Sequence, residues 1–370
     1  MGAQINELIT RMHTEKTDIL IIGGGLCGVY AASRLVHTPQ SILLVEARNR
    51  LGGRILSHDY PAMSTDLGPS WFWPDINPRV TALVRELGLE SFPQFETGMG
   101  RFQGRDGMVE NMDGYPMAPQ GRRLKGGMAA LIKGLSSHIP PDTIRLNHPV
   151  CEIQQVDPGI RVIVGQLDQP PQAVIEANQV ILALPPRLAA GSILFTPDLP
   201  ADLTQAMLKA STWMAGHAKF FALYDDAPWR EKGISGQGFS LCGPMGELHD
   251  ASAPQSAPFG LTGFLGIPAL GRKDPDTMVR AILDQLDRMY GPGAGRPIHH
   301  HYVDWARERF TATDYDQRSA HNHPEFHPPS GKTSIWGHRL HLAGTETARE
   351  FGGYLEGALV SSEQALAAVK

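Results

Sequence analysis

Cysteine is scarce in this chain. Three stand among 370 residues, Cys27, Cys151 and Cys242, an odd set without a C-x-x-C pair. A disulfide framework and a paired-cysteine zinc site are therefore not suggested, and three reduced thiols are the plain reading. Long apolar runs are missing too, since none reaches the roughly 18 residues that a membrane helix needs. The leading stretch MGAQINELITRMHTEK mixes charges into what a secretion signal would keep apolar, so a cytoplasmic protein with no membrane partner is expected. Basic blocks are absent as well, with 33 Lys and Arg against 38 Asp and Glu. That balance shows no nucleic-acid footprint, and small molecules become the expected partners. No segment repeats, and the sequence sets no oligomeric state.

What is present is an apolar share of 42% with 40 glycines and 29 prolines, the composition of a loop-rich globule. At about 150 residues per domain, the length suggests two domains. Thr17 to Ile22 reads as a buried parallel strand, Leu26 to Val36 as a helix and Ser41 to Glu46 as a second strand, one βαβ unit. In INPRVTALVRELGLE, Asn77 is placed as N-cap and Pro78 as the first helical residue, with Val80, Leu83, Val84 and Leu87 on one face and Gly88 as the stop. An Arg-Asp-Gly turn in RFQGRDGMVENM predicts a hairpin. Met128, Leu131, Ile132 and Leu135 mark a helix, Ile144 to Gln166 alternates like sheet, and QVILALPP is an apolar strand closed by Pro185 and Pro186. HAKFFALY is a further strand candidate, and Val279, Ile282, Leu283 and Leu286 mark a long helix. RLHLAGTET supplies a last buried strand, and Leu355 to Val369 a closing helix. Sheet elements thus lie at both ends and in the middle. The expected class is α/β: a discontinuous Rossmann-like dinucleotide domain (17–72, 123–198 and 330–370) with an inserted α+β substrate domain (73–122 and 199–329).

The stretch DILIIGGGLCGVYAASRL holds Gly23, Gly25 and Gly28 in the G-x-G-x-x-G spacing. The first permits a tight turn, the second lets backbone approach a pyrophosphate, and the third lets helix and strand pack closely. The helix start then offers free N–H groups and a positive dipole end to phosphates. Glu46, 18 residues after Gly28, closes the second strand where an acid accepts ribose hydroxyls. The glycines alone would mean only a tight turn. Strand before, helix after and acid beyond argue for a dinucleotide.

Directly after that acid, EARNRLGGRILS brings Arg48 and the Gly52-Gly53-Arg54 turn, and DLGPSWF follows. Here the sequence resembles the flavin-containing amine oxidases, the family of monoamine, polyamine and L-amino-acid oxidases. The resemblance continues through VILALPP, KFFALYDDAPWREKG, Trp305 to Tyr315 and LHLAGTETAREFGGYLEGAL, in order to the C-terminus. It implies FAD as cofactor, with an amine and oxygen as substrates. The FAD-binding set it implies is Gly23, Gly25, Leu26, Cys27, Gly28, Glu46, Ala47, Arg48, Gly53, Arg54, Gly68, Pro69, Ser70, Trp71, Val150, Gly344, Glu346, Gly353, Tyr354 and Leu355. Within it, the resemblance implies that the segment from Glu46 to Arg54 wraps the pyrophosphate, Gly344 and Glu346 lie near the ribityl and pyrophosphate portion, and the Leu355 amide faces the pyrimidine edge.

The resemblance also implies catalytic roles. The set it implies is Lys219, Trp305, Tyr315 and Tyr354: Lys219 stands near the flavin for the oxygen step, and Tyr315, ten residues after Trp305, faces Tyr354 across the substrate. Asp314 occupies the position where some family members carry a cysteine bonded to flavin, so FAD is expected to be noncovalent. The segment between DLGPSW and GGM is short for the family, which implies an open site or one covered by another subunit. Without the resemblance, Lys219 would be an edge-strand lysine with its head in solvent, and each tyrosine a core or rim residue. The histidines at His299, His300 and His301 and at His321, His323 and His327 lack a carboxylate or cysteine frame, and no metal is expected. Two other readings share the FAD frame: a desaturase or protoporphyrinogen-oxidase-like enzyme, and a flavin-binding protein without turnover.

Overall fold

Ile19 to Ile22 are apolar on both faces, a pattern that suits a strand covered on both sides. In the computed structural model, which describes residues 13–369 apart from 62, 168, 253–256, 273, 319–330 and 332, this run ends the Thr14–Ile22 strand inside a nine-stranded sheet. Ile19 and Ile21 pack beneath the Leu26–Leu35, Ala129–Ser136 and Leu355–Ala368 helices, while Leu20 and Ile22 face a second core with Ile153, Leu203 and Met207. The Thr14–Ile22 strand pairs in parallel with Ile42–Val45 on one side and Ala173–Ala183 on the other. Ala173–Ala183 in turn pairs in parallel with Leu340–Ala343. Ile22 stands opposite both Val45 and Leu182, and Ala183 opposite Ala343. The parallel strands therefore end at one level, and Gly23, Glu46, Leu184 and Gly344 leave them side by side. Open α/β sheets bind ligands at that carboxyl edge.

The second sheet has seven strands, in the order His299–Asp304, Ala218–Tyr224, Phe259–Leu265, Met245–Asp250, Ile234–Ser240, Met99–Gln103, Val109–Met112. The last two form the hairpin expected around the Arg-Asp-Gly turn. Alternation divides the Ala218–Tyr224 strand between two environments. Phe220, Ala222 and Tyr224 join a core with Met278, Ile282, Leu286 and Met289 of the Pro275–Tyr290 helix. Phe221 and Leu223 meet Met63 and Leu67 on the opposite face, the one that also carries Lys219. The strand lies inside the sheet, so the alternative of an edge lysine with its head in water is corrected.

The Pro78–Glu86 helix starts where expected, with Asn77 at the N-cap position and Pro78 first in the helix. The Asn77 side chain caps nothing there and accepts the Trp73 N–H at 2.9 Å instead. The free N–H groups of Arg79 and Val80 go to the Glu356 carboxylate of the closing helix, at 3.0 Å each. Among the described residues, no helix is long and apolar enough to cross a membrane.

Candidate active site

Residues of both sheets line one cavity of about 1030 Å³. It begins at the glycine loop. Gly23 has φ +108°, and a Cβ there would stand 2.6 Å from the Ala183 carbonyl oxygen; a Cβ on Gly28 would stand 1.9 Å from that of Gly23. Gly25 is different: a Cβ built on it meets nothing within 4 Å, and no side chain caps the helix it begins. An open space in front of uncapped amides and a positive dipole end fits an anionic phosphate.

The surrounding polar groups fit the rest of a dinucleotide. Glu46 is buried and accepts the Gly24 and Arg48 N–H groups at 2.7 and 2.8 Å. Arg48 donates to Thr311 Oγ1 at 2.7 Å, yet its buried Nε has no partner among the described residues. An orphaned buried donor costs about 1–3 kcal/mol unless a ligand takes it. Arg54 makes a two-pronged ion pair with Glu346 at 2.5 and 3.0 Å. The same pair clamps the Trp213 backbone, Arg54 donating to its carbonyl at 3.2 Å and Glu346 accepting its N–H at 3.3 Å.

Gly23, Gly25, Leu26, Cys27, Ala47, Gly53, Gly68, Pro69, Val150, Gly344, Gly353 and Leu355 line the cavity with Glu46, Arg48 and Arg54. Gly28 and Glu346 stand just behind that lining. Gly28 serves the close helix–strand contact, and Glu346 acts through Arg54 and Trp213.

At the other end of the cavity, Lys219 is only 2% exposed. Its Nζ donates to the Gly68 carbonyl at 2.8 Å and Ser70 Oγ at 2.5 Å, between the rings of Trp71 and Phe264. Burial pushes the ammonium down to about 7; nearby Asp66 opposes that shift and Arg123 adds to it. Trp305 donates its Nε1–H to the Leu67 carbonyl at 2.9 Å, tying the loop of Gly68, Ser70 and Trp71 in place. Tyr354 also lines the cavity, its ring centroid 6.3 Å from that of Trp213 at 42°.

Tyr315 is not there. It lies in the Asp314–Arg318 helix, 62% exposed and outside the cavity lining, so the expected pair of tyrosine walls is corrected. Among the described residues, Trp213 is an aromatic beside Tyr354. Counting along the sequence missed it because Trp213 sits in an irregular stretch without periodicity, next to Met214 at φ 63°. His217, Phe239, Glu247 and Phe264 also line the cavity and were missed. For the last three, position on the cavity side of a strand was the only available signal. His299 and His301 lie beside Tyr60, and His300 beside Phe220. His321, His323 and His327 lie outside the described residues, among which no group of three metal-ligating side chains converges.

Residues 102–369 match the profile of a family described as flavin containing amine oxidoreductase, and residues 21–87 that of an NAD(P)-binding Rossmann-like domain. The chain belongs to the flavin-containing amine oxidoreductases. It is an oxidoreductase of amines, and its cofactor is FAD. A probable flavin-containing monoamine oxidase A of Dictyostelium discoideum is 24% identical, with 93% of this chain and 95% of that protein covered. A putrescine oxidase with redesigned cofactor binding shares the fold of this oxidoreductase at a TM-score of 0.78, with 20% identity over 96% of this chain and 99% of the other. So does cyclohexylamine oxidase from Brevibacterium oxydans, at 0.78 and 21% over 95% and 98%. The Dictyostelium alignment runs over 451 residues against the 370 of this flavoprotein, so that relative carries segments absent here.

Proposed function

We propose that the chain oxidises its amine at the carbon bonded to nitrogen, with oxygen as electron acceptor and hydrogen peroxide as product. The observation that carries this reading is the meeting of Lys219, Trp213 and Tyr354 in the cavity that starts at the glycine loop. When bound, the flavin supplies hydride acceptance from the amine carbon and return of the electrons to oxygen. The residues supply geometry. Trp213 and Tyr354 offer two ring faces that orient an amine, and Trp305 keeps the opposing loop from shifting. Lys219 holds a proton at Nζ where charge develops in the oxygen step. Anaerobic addition of a panel of amines should bleach the flavin absorbance of the purified protein. A spectrum unmoved by every amine would sink the reading.

The FAD is held without a covalent bond. Asp314 lies outside the cavity lining, and the two cysteines in it, Cys27 and Cys151, are pushed up by burial to about 12 and about 11, so they stay protonated and unreactive. Acid precipitation should leave the yellow colour in the supernatant; colour retained in the washed pellet contradicts this.

The aromatic pair can be tested separately. Trp213→Ala and Tyr354→Ala should each lower kcat/KM by roughly 10- to 100-fold with FAD still bound, because orientation is lost. Tyr315→Ala should change it less than about threefold. A Tyr315 effect as large as the other two, read in steady-state kinetics, would restore the tyrosine pair.

A further inference from the structure

Four strands of the second sheet each contribute one residue to a row across its cavity side. Lys219 pairs with Phe264, Phe264 with Glu247, and Glu247 with Phe239. Cross-strand partners share a face, and all four line the cavity. Glu247 owes its place to a β-bulge. Met245 stands opposite Leu265 and Glu247 opposite Phe264, so Gly246 is an extra residue that reverses the alternation. Met245 and Leu248 consequently join the core under the long helix, while Glu247 and His249 turn the other way. Without the bulge, Glu247 would share the face of Met245 and lie in an apolar core.

His249 holds the carboxylate. Its Nε2 is 2.7 Å from Glu247 Oε1, and its buried ring meets Trp71 edge-on. That hydrogen bond, ahead of the opposing effect of burial, keeps Glu247 below the usual carboxylate range. The side chain is 44% exposed, and Oε2 carries no hydrogen bond among the described residues. Strands lie about 4.8 Å apart, so the Glu247 backbone stands roughly 10 Å from that of Lys219, with Phe264 between them. An anion at one end of an aromatic-walled space selects a cation carried on an alkyl chain.

We propose that Glu247 is the subsite for a second ammonium group of the substrate, which makes the substrate class a diamine or polyamine. One amine enters between Trp213 and Tyr354, the alkyl chain crosses Phe264, and the distal ammonium pairs with Glu247. His249 is a positioning residue for that carboxylate. The inference rests on the amine-oxidation reading above.

The test uses the FAD-loaded enzyme with straight-chain monoamines and α,ω-diamines of matched length. At one chain length, the diamine should be preferred by about tenfold or more in kcat/KM, and Glu247→Gln should bring the ratio near one, chiefly through KM. His249→Asn should raise KM for the diamine while kcat is retained. In the wild type alone, a bis-quaternary alkane that cannot be oxidised should inhibit at lower concentration than its mono-quaternary counterpart. Equal use of monoamines and diamines, a preference that survives Glu247→Gln, or equal inhibition by the two quaternary compounds overturns the subsite and leaves amine oxidation standing. Failure of every amine to reduce the flavin overturns both.

Discussion

Lys219→Met should slow the oxygen half-reaction by about 100- to 1000-fold and the amine half-reaction by less than about tenfold. Methionine is one atom shorter, an unbranched apolar side chain without the charge, so most of the packing between Trp71 and Phe264 survives while the cation does not. The cation matters where electrons pass to oxygen and negative charge develops in a space that excludes water. Because burial pushes Lys219 down to about 7, its charged form is lost as pH rises through neutrality. The oxygen half-reaction should therefore fall over that range in the wild type and stay flat in Lys219→Met. The same depression links to stability: between about 7 and the ordinary value of 10.5 the unfolded chain binds a proton that the folded one does not, so the folded state gains stability as pH rises across that window. Stopped-flow measurement of the two half-reactions decides the matter, and equal slowing of both would remove Lys219 from the oxygen step.

Arg54→Ala should yield a chain that is purified with little FAD and is less stable by about 3–5 kcal/mol, because the Glu346 carboxylate, 1% exposed, loses its counter-charge. The loss spreads to the substrate end through the Trp213 backbone, which Arg54 and Glu346 hold from both sides. Arg54→Lys keeps the charge but not the two-pronged geometry and should recover only part of both effects. Pairing Arg54→Ala with Glu346→Gln removes the stranded charge, so stability should return while FAD does not. Denaturant titration and the flavin-to-protein ratio read the two separately. An Arg54→Ala chain with full flavin would show that Arg54 does not hold the cofactor.

The legible part of the site was local. The strand from Thr14, the turn at Gly23 and the helix from Leu26 depend on residues within a few positions of one another, and each leaves a spacing in the sequence. Glu46 is legible for the same reason, since the second strand of a βαβ unit must end near the first. Tyr315 shows where such counting stops. Ten positions after Trp305 fix a contour length, but a turn over Trp305–Arg307 and a helix over Asp314–Arg318 spend that length differently and leave the ring exposed.

By itself the sequence determined the α/β class, the dinucleotide loop and the membership of Lys219 in an apolar strand, because periodicity and turn chemistry are written in neighbouring residues. Tertiary structure alone decided that this strand lies inside a sheet and so deprives the ammonium of water. It decided that a one-residue bulge points Glu247 into the cavity and not into the core. It also decided that Arg54 meets Glu346 across 292 positions of chain and that Glu356 caps a helix 277 positions away. Buried charges and free helix amides demand partners, but the demand does not say from where; only the packing of distant segments brings a partner within hydrogen-bond reach.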